Sequence, residues 1–346
     1  MKFKKKFDEL SPFKIIHHNI DQKFPIHVEI DPTSTCQQDC IRCSYKQNID
    51  GKRDYIIHKQ NARLPYDKFL DLIDELKTIG IKAITLSGGG EPLIYPKIES
   101  IIDHILTSGI QIGVITNLST KIDTGLLSKA IWVRVSLDAA SHKIYETVHR
   151  PKNQNAFSLV CENISSIIKK NDSIDLGVNF LIQPENYSEI YDAARLVKKL
   201  GAKYIRFAPV IATDHIDYEQ LFGECDSLLQ KSLSLIDDQF HVFITKERFN
   251  SLKKNKKNYS YCYKQKIHPL IGADGNIYPC CLLKYYDRHI LGSILNDTFV
   301  NVWQGEKRKD WLSKLDVDLC PPCWFDETNL FIEYLLTNNP SHVNFV

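Results

Sequence analysis

The pattern of hydrophobic and polar positions alternates between short apolar runs and longer segments of helical period over the first two hundred residues. Short β-branched runs are typical of strands, and apolar residues spaced three and four apart are typical of amphipathic helices. Strands are predicted at residues 26–30, 82–86, 111–115, 132–137, 175–182 and 204–207. Helices are predicted between them at residues 66–79, 97–107, 156–170 and 187–200. Glycines follow three of these helices, at Gly80, Gly109 and Gly201, where a helix commonly ends.

This repeated alternation of strand and helix predicts a parallel sheet with helices packed outside it. Six strands are too few for a closed eight-stranded barrel, so we expect an α/β fold, a partial (β/α)6 TIM-like barrel. In either an open or a closed arrangement, ligands bind at the carboxyl ends of the strands.

The alternation is expected to stop after Asp217. A helical stretch at 218–237 leads to a lysine-rich run at 253–257, which is typical of a solvated linker. We therefore divide the chain into an N-terminal extension (1–24), the barrel (25–217), a helical linker (218–258) and a small cysteine-rich unit (259–346) that ends in a helix after Cys323.

Composition narrows the class of protein. The chain has 346 residues, of which 43% are hydrophobic, and Lys+Arg at 44 against Asp+Glu at 42 leaves a charge of +2. So small an excess predicts neither a nucleic-acid partner nor attachment to a membrane surface. The basic start is not followed by the apolar stretch of a secretory signal, and no apolar run approaches the length of a spanning helix. We expect a cytoplasmic protein.

The ten cysteines fall mostly in two groups. The first group is Cys36, Cys40 and Cys43, and the second is Cys262, Cys280, Cys281, Cys320 and Cys323. In a reducing compartment, clustered cysteines more often bind metal or take part in chemistry than form disulfides. Cys161 and Cys225 stand alone in helical segments and are expected to be core or surface thiols.

The first group has the spacing Cys-x3-Cys-x2-Cys in a loop directly after the first predicted strand. Three thiolates are one short of a closed zinc site. On a cubane iron–sulfur cluster, three thiolates leave one iron open to a further ligand. A zinc loop on an unrelated α/β enzyme is the alternative interpretation.

Cys36, Cys40 and Cys43 resemble the signature of the radical S-adenosylmethionine (SAM) superfamily. The second predicted strand ends in Gly88-Gly89-Gly90-Glu91, which is similar to the Gly-Gly-Glu element whose backbone holds the methionine amino group of SAM in that family. The resemblance covers about residues 25 to 210. It implies a [4Fe–4S] cluster that reduces SAM to methionine and a 5′-deoxyadenosyl radical, supplied with electrons by an external one-electron reductant such as flavodoxin or ferredoxin.

Further cofactor contacts are expected at the strand ends. Ser136 and Asp138 resemble the family's ribose-contacting strand end, and Asn117 stands where relatives often carry Thr-Asn-Gly, although Leu118 replaces the glycine. Many relatives have an aromatic residue before the third cysteine, where this chain has Arg42.

Three other residues complete the predicted site. Tyr45 is the aromatic residue left for an adenine contact. Asn179 and Arg206 lie on strands five and six, where they are expected to contact SAM or substrate. Packing inside the barrel is the alternative for Asn179, and Arg206 suits a carboxylate or phosphate.

The second group reads Cys262-x12-Gly275-x4-Cys280, then Cys320-x2-Cys323. This resembles the short "twitch" version of the SPASM extension of radical SAM enzymes, and implies an auxiliary [4Fe–4S] cluster held by Cys262, Cys280, Cys320 and Cys323. A structural zinc ion fits the same four thiolates. Residues 272–279 predict a hairpin with Asp274-Gly275 as its turn.

Cys281 follows a predicted cluster ligand directly. A thiol in that place suits a catalytic hydrogen-atom donor, as in radical SAM epimerases. The alternatives are a buried apolar thiol or a spare ligand.

Two features bear on the substrate. About 24 residues precede the first strand, which is short for a leader-recognition domain and so argues against a ribosomal peptide. A closed auxiliary cluster suits a reaction that must dispose of an electron, such as oxidation of an alcohol. We therefore expect a radical SAM oxidoreductase acting on a small carbohydrate-like molecule. The alternatives are an epimerase that uses Cys281, a peptide-modifying maturase, and a non-catalytic iron–sulfur or zinc binding module.

Overall fold

The computed structural model describes residues 23–45, 61–212, 216–246, 248, 257–323 and 325–338. The strands are β1 (His27–Ile30), β2 (Ala83–Leu86), β3 (Gln111–Thr116), β4 (Trp132–Ser136), β5 (Asp175–Ile182), β6 (Tyr204–Pro209), β7 (His241–Ile244), β8 (Leu270–Ile271), β9 (Asn276–Tyr278) and β10 (Gly292–Ser293). The helices are α1 (Tyr66–Thr78), α2 (Ile98–Ser108), α3 (Thr124–Leu127), α4 (His142–His149), α5 (Ala156–Lys170), α6 (Ile190–Lys199), α7 (Tyr218–Leu233), α8 (Lys264–Ile267), α9 (Phe299–Gln304), α10 (Glu306–Ser313) and α11 (Asp326–Asn338). Most of the predicted N-terminal extension and of the lysine-rich run lie outside the described residues.

The strands form one sheet in the order β10-β9-β8-β1-β2-β3-β4-β5-β6-β7. Strands β1 to β7 are parallel, each paired with the next. Alternate residues such as Val133, Val178 and Phe207 are buried in a core shared with the helices. The sheet has two different edges, β10 and β7, so the barrel is open. The predicted α/β fold with a partial barrel is confirmed.

The alternation continues beyond Asp217, and the expectation that it stops there is wrong. Strand β7 pairs in parallel with β6, with His241 opposite Tyr204. This strand has only four residues, and Phe243 on it is 43% exposed. A short edge strand with one exposed apolar residue gives a weak periodic signal, which explains why the pattern does not reveal it.

The cysteine-rich C-terminal region continues the sheet of the barrel. Strand β8 pairs in parallel with β1, and β8 and β9 form the predicted hairpin, in which Gly275 has a φ of 75° at the turn. Asp31 N donates to Ile271 O at 2.9 Å just beyond the paired strands. The segment that enters the first cysteine loop is therefore hydrogen-bonded to the C-terminal hairpin.

Element boundaries otherwise agree with the sequence pattern. Strand β5 and helix α5 begin and end where predicted, and α11 is the predicted helix after Cys323. Helix α7 ends at Leu233, four residues before the predicted end, and residues 187–189 form a short 3₁₀ turn before α6. In the described part of the chain, no helix combines the length and the apolar character that crossing a membrane requires.

Candidate active site

The first cysteine loop follows β1 and is fastened along its length by the end of α4. Asp39 N donates to His149 O at 3.0 Å, and Ile41 N donates to Val148 O at 3.0 Å. These backbone hydrogen bonds fix the segment that carries Cys40. The cysteine loop is thereby held beyond the carboxyl end of β1.

Two side chains from other elements contact the thiols. Asn117, directly after β3, points its Nδ2 at Cys36 Sγ at 3.7 Å. His149 Nδ1 lies 3.3 Å from Cys40 Sγ, and its Nε2 lies 2.8 Å from the carbonyl oxygen of Leu137. Burial lowers the pKa of His149 to about 4, so the ring is neutral at pH 7. His149 is not predictable from the sequence, because a lone histidine at a helix end belongs to no motif.

The glycine turn after β2 packs tightly on the cysteine loop. A side chain on Gly90 would lie 2.1 Å from Thr35 O, and one on Gly88 would lie 1.9 Å from Gly90 O. Ser34 Oγ and Thr35 Oγ1 are buried beside this turn and have no hydrogen-bond partner among the described residues. The glycines therefore let two backbone segments meet, with unsatisfied polar atoms at their junction.

Glu91, which completes the glycine motif, turns its carboxylate into the protein. It is 2% exposed and accepts hydrogen bonds from Thr116 Oγ1 at 2.5 Å, Asn117 N at 2.7 Å and Leu93 N at 3.0 Å. Burial raises the pKa of Glu91 to about 7, even though these three donors lower it. In this arrangement Glu91 joins the glycine turn to the carboxyl end of β3.

The raised pKa of Glu91 predicts a pH dependence of stability. Between about pH 4.5 and 7 the folded protein keeps a proton on Glu91 that the unfolded chain releases, so the free energy of unfolding should fall as the pH rises. Glu91→Gln cannot titrate. Melting temperatures at pH 5 and pH 8 should therefore show the wild type losing stability relative to Glu91→Gln at the higher pH. A difference between the two proteins that stays constant with pH would contradict the assignment.

The other predicted contacts gather at the same edge. Asn117 Oδ1 accepts from Gln37 Nε2 at 3.0 Å, and the following Leu118 has a φ of 54°, the left-handed region that favours the glycine found in relatives. Asp138 faces inward, with Oδ1 2.5 Å from Leu181 N and Oδ2 3.5 Å from His149 Nε2. Burial raises the pKa of Asp138 to about 7.

Three predicted contacts share one level of the sheet. Ser136 lies opposite Asn179, and Asn179 lies opposite Arg206. All three side chains project from the face opposite the helix-covered core, which is the inside of the open barrel. The structure therefore brings the three residues to one level, but only Ser136 ends its strand, and Asn179 and Arg206 lie inside β5 and β6.

Arg42 holds the cysteine loop to the loop after β5. It forms a two-pronged ion pair with Glu185, with Nη2 2.9 Å from Oε1, and Nη1 also donates to Gln183 Oε1 at 2.9 Å. The Arg42 side chain is 10% exposed. In place of the aromatic residue of many relatives, this chain has a planar cation with a carboxylate partner 143 residues away.

Arg42→Ala should therefore loosen the cysteine loop. We expect a loss of about 1 to 3 kcal/mol in the free energy of unfolding, the usual value for hydrogen bonds to a charged group, together with a lower iron content. The stability and iron content of Arg42→Lys should lie between those of the wild type and Arg42→Ala, because an ammonium keeps the charge but cannot make the two-pronged contact. The matched control is Arg195→Ala, since Arg195 is 69% exposed in its pair with Asp192. Equal melting temperatures and iron contents for Arg42→Ala and Arg195→Ala would contradict this role.

The second cysteine group lines one pocket. Cys262, Cys280, Cys320 and Cys323 all border it, among apolar side chains that include Leu283, Trp311 and Phe325. Burial raises the pKa of each of the four thiols, to about 11 for Cys320 and about 12 for Cys323. Among the described residues, no group of three or more His, Cys, Asp or Glu side chains is arranged to hold a single metal ion.

A buried charge network connects the two cysteine regions. Lys284 Nζ lies 2.7 Å from Asp31 Oδ2, and Tyr285 Oη donates to the same oxygen at 2.6 Å. Ser87 Oγ, just after β2, lies within hydrogen-bond distance of both Asp31 Oδ1, at 2.9 Å, and Glu29 Oε1, at 2.5 Å. Asp31, Lys284 and Tyr285 are each 0% exposed. Residues that follow Cys281 are thus bound to the strand that leads to Cys36.

Tyr45 and Cys281 belong to the same region. The Tyr45 ring lies 4.2 Å from Lys284 Nζ and contacts Tyr285 edge to face. Burial raises the pKa of Tyr45 to about 12, although the Lys284 ammonium acts in the opposite direction. Cys281 is half-buried and packs on the cluster of Leu270, Tyr278 and Tyr285.

Comparison with known proteins identifies the class. Residues 30–197 match the family model described as the radical SAM superfamily, and residues 262–324 match SPASM, described as an iron–sulfur cluster-binding domain. The chain belongs to the radical SAM superfamily and carries a C-terminal SPASM domain.

Its curated relatives are distant. A Pyrococcus furiosus protein named as a tungsten-containing aldehyde ferredoxin oxidoreductase cofactor-modifying protein is 22% identical over 316 residues, covering 83% of this chain and 81% of the relative. The mycofactocin maturase MftC of Mycobacterium tuberculosis is 22% identical over 296 residues, covering 81% and 71%.

Solved structures share the fold. Streptococcus suis SuiB bound to precursor peptide SuiA has a TM-score of 0.60 at 14% identity, covering 85% of this chain and 67% of that one. The enzyme anSMEcpe with bound AdoMet has a TM-score of 0.59 at 16% identity, covering 87% of each chain.

The residues present fit the cofactors of this family. The glycine turn, with the unsatisfied hydroxyls of Ser34 and Thr35, lies beside the loop of Cys36, Cys40 and Cys43, and four thiols share the second pocket. The protein uses a radical SAM [4Fe–4S] cluster with SAM, and iron–sulfur in its SPASM domain. The zinc alternatives are thereby set aside.

Proposed function

We propose that this protein is a radical SAM oxidoreductase that oxidises an alcohol carbon of a small carbohydrate-like substrate. When bound, the cofactors supply a 5′-deoxyadenosyl radical at the first cysteine site and a one-electron acceptor at the second. Oxidation of an alcohol removes a hydrogen atom, a proton and an electron from the substrate. A protein with both sites has a destination for the hydrogen atom and for the electron, and the hydroxyl proton passes to a base or to water.

The observation that carries the proposal is the direct connection between the two cysteine regions. Strand β8 of the SPASM domain pairs with β1, and Lys284 and Tyr285, which follow Cys280 and Cys281, hold Asp31 before the first cysteine loop. The contact is buried, so the two sites keep a constant relation to each other. Such rigid support is what a reaction needs when two cofactors act on one substrate.

A second candidate is modification of a peptide. MftC is named a maturase, and one SuiB structure is named as bound to its precursor peptide. Both names concern those proteins, and they favour a peptide as a substrate class to be tested beside sugars.

Cys281→Ala separates oxidation from epimerisation. If the protein oxidises its substrate, the variant should form oxidised product and 5′-deoxyadenosine in the wild-type ratio, since no thiol hydrogen is required. If it is an epimerase, the epimer should disappear and an oxidised or unsaturated product should take its place. The assay is anaerobic turnover with dithionite and SAM, with sugars, aminocyclitols and peptides as separate panels and products identified by mass spectrometry.

The control is Cys161→Ala, which removes a thiol from α5 outside both cysteine groups. An epimerised product from the wild type, abolished in Cys281→Ala and retained in Cys161→Ala, would overturn the oxidoreductase proposal. Oxidised product from a peptide but from no sugar would show that the substrate class is a peptide, and the proposed reaction type would still hold.

A further inference from the structure

Three arginines gather inside the open barrel. Arg134 is on β4, Arg206 is on β6, and Arg248 follows β7. The positive charges of Arg134 and Arg206 both act on Arg248, and that of Arg134 acts on Arg206. Repulsion between like charges is stronger in a partly buried environment than in water, so this cluster of arginines is electrostatically unfavourable unless an anion binds to it.

The strand register shows that these side chains face the site. Arg206 is level with Asn179 and Ser136, and Arg134 is one pleat below Ser136 on the same face of β4. A side chain on Gly177 would meet the Tyr204 ring at 2.0 Å, so the Tyr204 ring lies across this face beneath Arg206. Arg206 therefore lies at the level of Ser136 and Asn179, and Arg134 lies one pleat below that level, at the level of the Tyr204 ring.

No protein carboxylate accounts for two of them. Within the part of the chain that the structure describes, neither Arg134 nor Arg206 has an Asp or Glu at ion-pair distance, and the Arg134 guanidinium lies 5.8 Å from the centre of the Trp132 ring. Both guanidinium groups are only half-buried, so a ligand can reach them.

Arg248 lies on the side of the second cysteine group. Burial and the positive charges of Arg206 and Arg134 lower the pKa of Arg248, and Cys281 and Cys323 lie close enough to act on it in the opposite direction. Arg248 is therefore close to the second cysteine group as well as to the other two arginines.

We propose that Arg134 and Arg206 bind an anionic group of the substrate, a phosphate or a carboxylate, inside the barrel. The planar fork of arginine matches both oxyanions with paired hydrogen bonds. This inference rests on the proposed function, because it takes the bound molecule to be the substrate. It narrows the substrate class to acidic molecules such as a sugar phosphate or a sugar acid. An anion held there anchors the substrate below the cofactor and leaves its carbon atoms directed toward the strand ends.

The test is binding of simple anions to the full-length, cluster-loaded protein under anaerobic conditions. Inorganic phosphate and acetate are titrated separately by calorimetry in the presence of saturating SAM, so that the carboxylate of SAM is not the group measured. We expect one of the two anions to bind, and Arg134→Gln and Arg206→Gln each to weaken it by about tenfold or more, the effect of losing a charge-assisted contact. The control Arg195→Gln removes an exposed arginine on α6 and should bind as the wild type does.

The two anions distinguish the two sources. Tighter binding of phosphate assigns a phosphorylated substrate, and tighter binding of acetate assigns a carboxylate. Unchanged affinity in both variants, or loss of anion binding whenever SAM is added, would overturn the proposal, because the arginines would then serve the fold or SAM itself.

A second measurement uses the wild-type protein, so that the proposal can be tested even when a variant fails to fold. Phenylglyoxal modifies accessible arginines, and peptide mass spectrometry locates the modified positions. The bound anion should protect Arg134 and Arg206 and leave Arg195 reactive, and equal modification with and without the anion would overturn the site. Formation of 5′-deoxyadenosine, measured in the same samples, distinguishes failure of this proposal from failure of the proposed function. Cleavage of SAM without anion binding would contradict only the anion site. Anion binding without cleavage of SAM would contradict only the proposed oxidoreductase activity.

Discussion

Replacing Lys284 with methionine should lower the free energy of unfolding by about 3 to 5 kcal/mol, the cost of leaving one member of a buried ion pair alone. Lys284 and Asp31 are both 0% exposed and 2.7 Å apart. Burial lowers the pKa of Lys284, but Asp31, Tyr45 and Glu29 together raise it well above its ordinary value. The ammonium is therefore charged in the folded protein, and its loss strands the Asp31 carboxylate without solvent.

The control for this prediction is Lys309→Met. In the wild type the Lys309 ammonium pairs with Glu306 at the surface, where the two side chains are 61% and 87% exposed. A surface pair of this kind contributes less than about 1 kcal/mol. The double variant Asp31→Asn with Lys284→Met should recover part of the lost stability, because no buried charge remains. Anaerobic thermal melting measures all four proteins, and a loss for Lys284→Met no larger than that for Lys309→Met would contradict the network described above.

Replacing Cys36, Cys40 and Cys43 with alanine should abolish the formation of 5′-deoxyadenosine. We propose that these three thiolates hold the cluster that reduces SAM, so a variant without them should have no means of delivering an electron to the sulfonium. The four thiols of the second pocket are untouched, so the protein should still contain iron. Chromatography of the dithionite-driven reaction measures the product.

The matched control, Cys161→Ala, should form 5′-deoxyadenosine at the wild-type rate, because Cys161 lies in α5 and packs on the helix-covered core. Product from the triple variant at a rate close to that of the wild type would contradict the assignment of the first cysteine loop.

Sequence reasoning was most successful where a signal is local. Strand β5 and helix α5 have long, regular apolar patterns, and the Asp274-Gly275 turn has the residue types that its backbone requires. The cysteine spacings and the glycine motif are also local, since each spans only a few residues, and they sufficed to indicate the class of enzyme that the family models confirm.

What the sequence did not predict depends on contacts between distant residues. Lys284 and Asp31 are 253 residues apart, and Arg42 is paired with a carboxylate 143 residues away. His149 meets Cys40 only because α4 folds back over the cysteine loop. Such contacts depend on the packing of whole elements, and no pattern along a single sequence encodes them.

The central claim is that one chain holds two iron–sulfur sites in separate cysteine groups, and iron counting tests it most directly. Anaerobically purified wild type should contain about eight irons per chain, as two [4Fe–4S] clusters require, and the Cys36/Cys40/Cys43→Ala variant should contain about four. Sulfide quantitation on the same samples should give matching numbers, and Cys161→Ala should equal the wild type. An iron content that is the same in the triple variant and the wild type, or a wild type with about four irons and one zinc, would contradict the account.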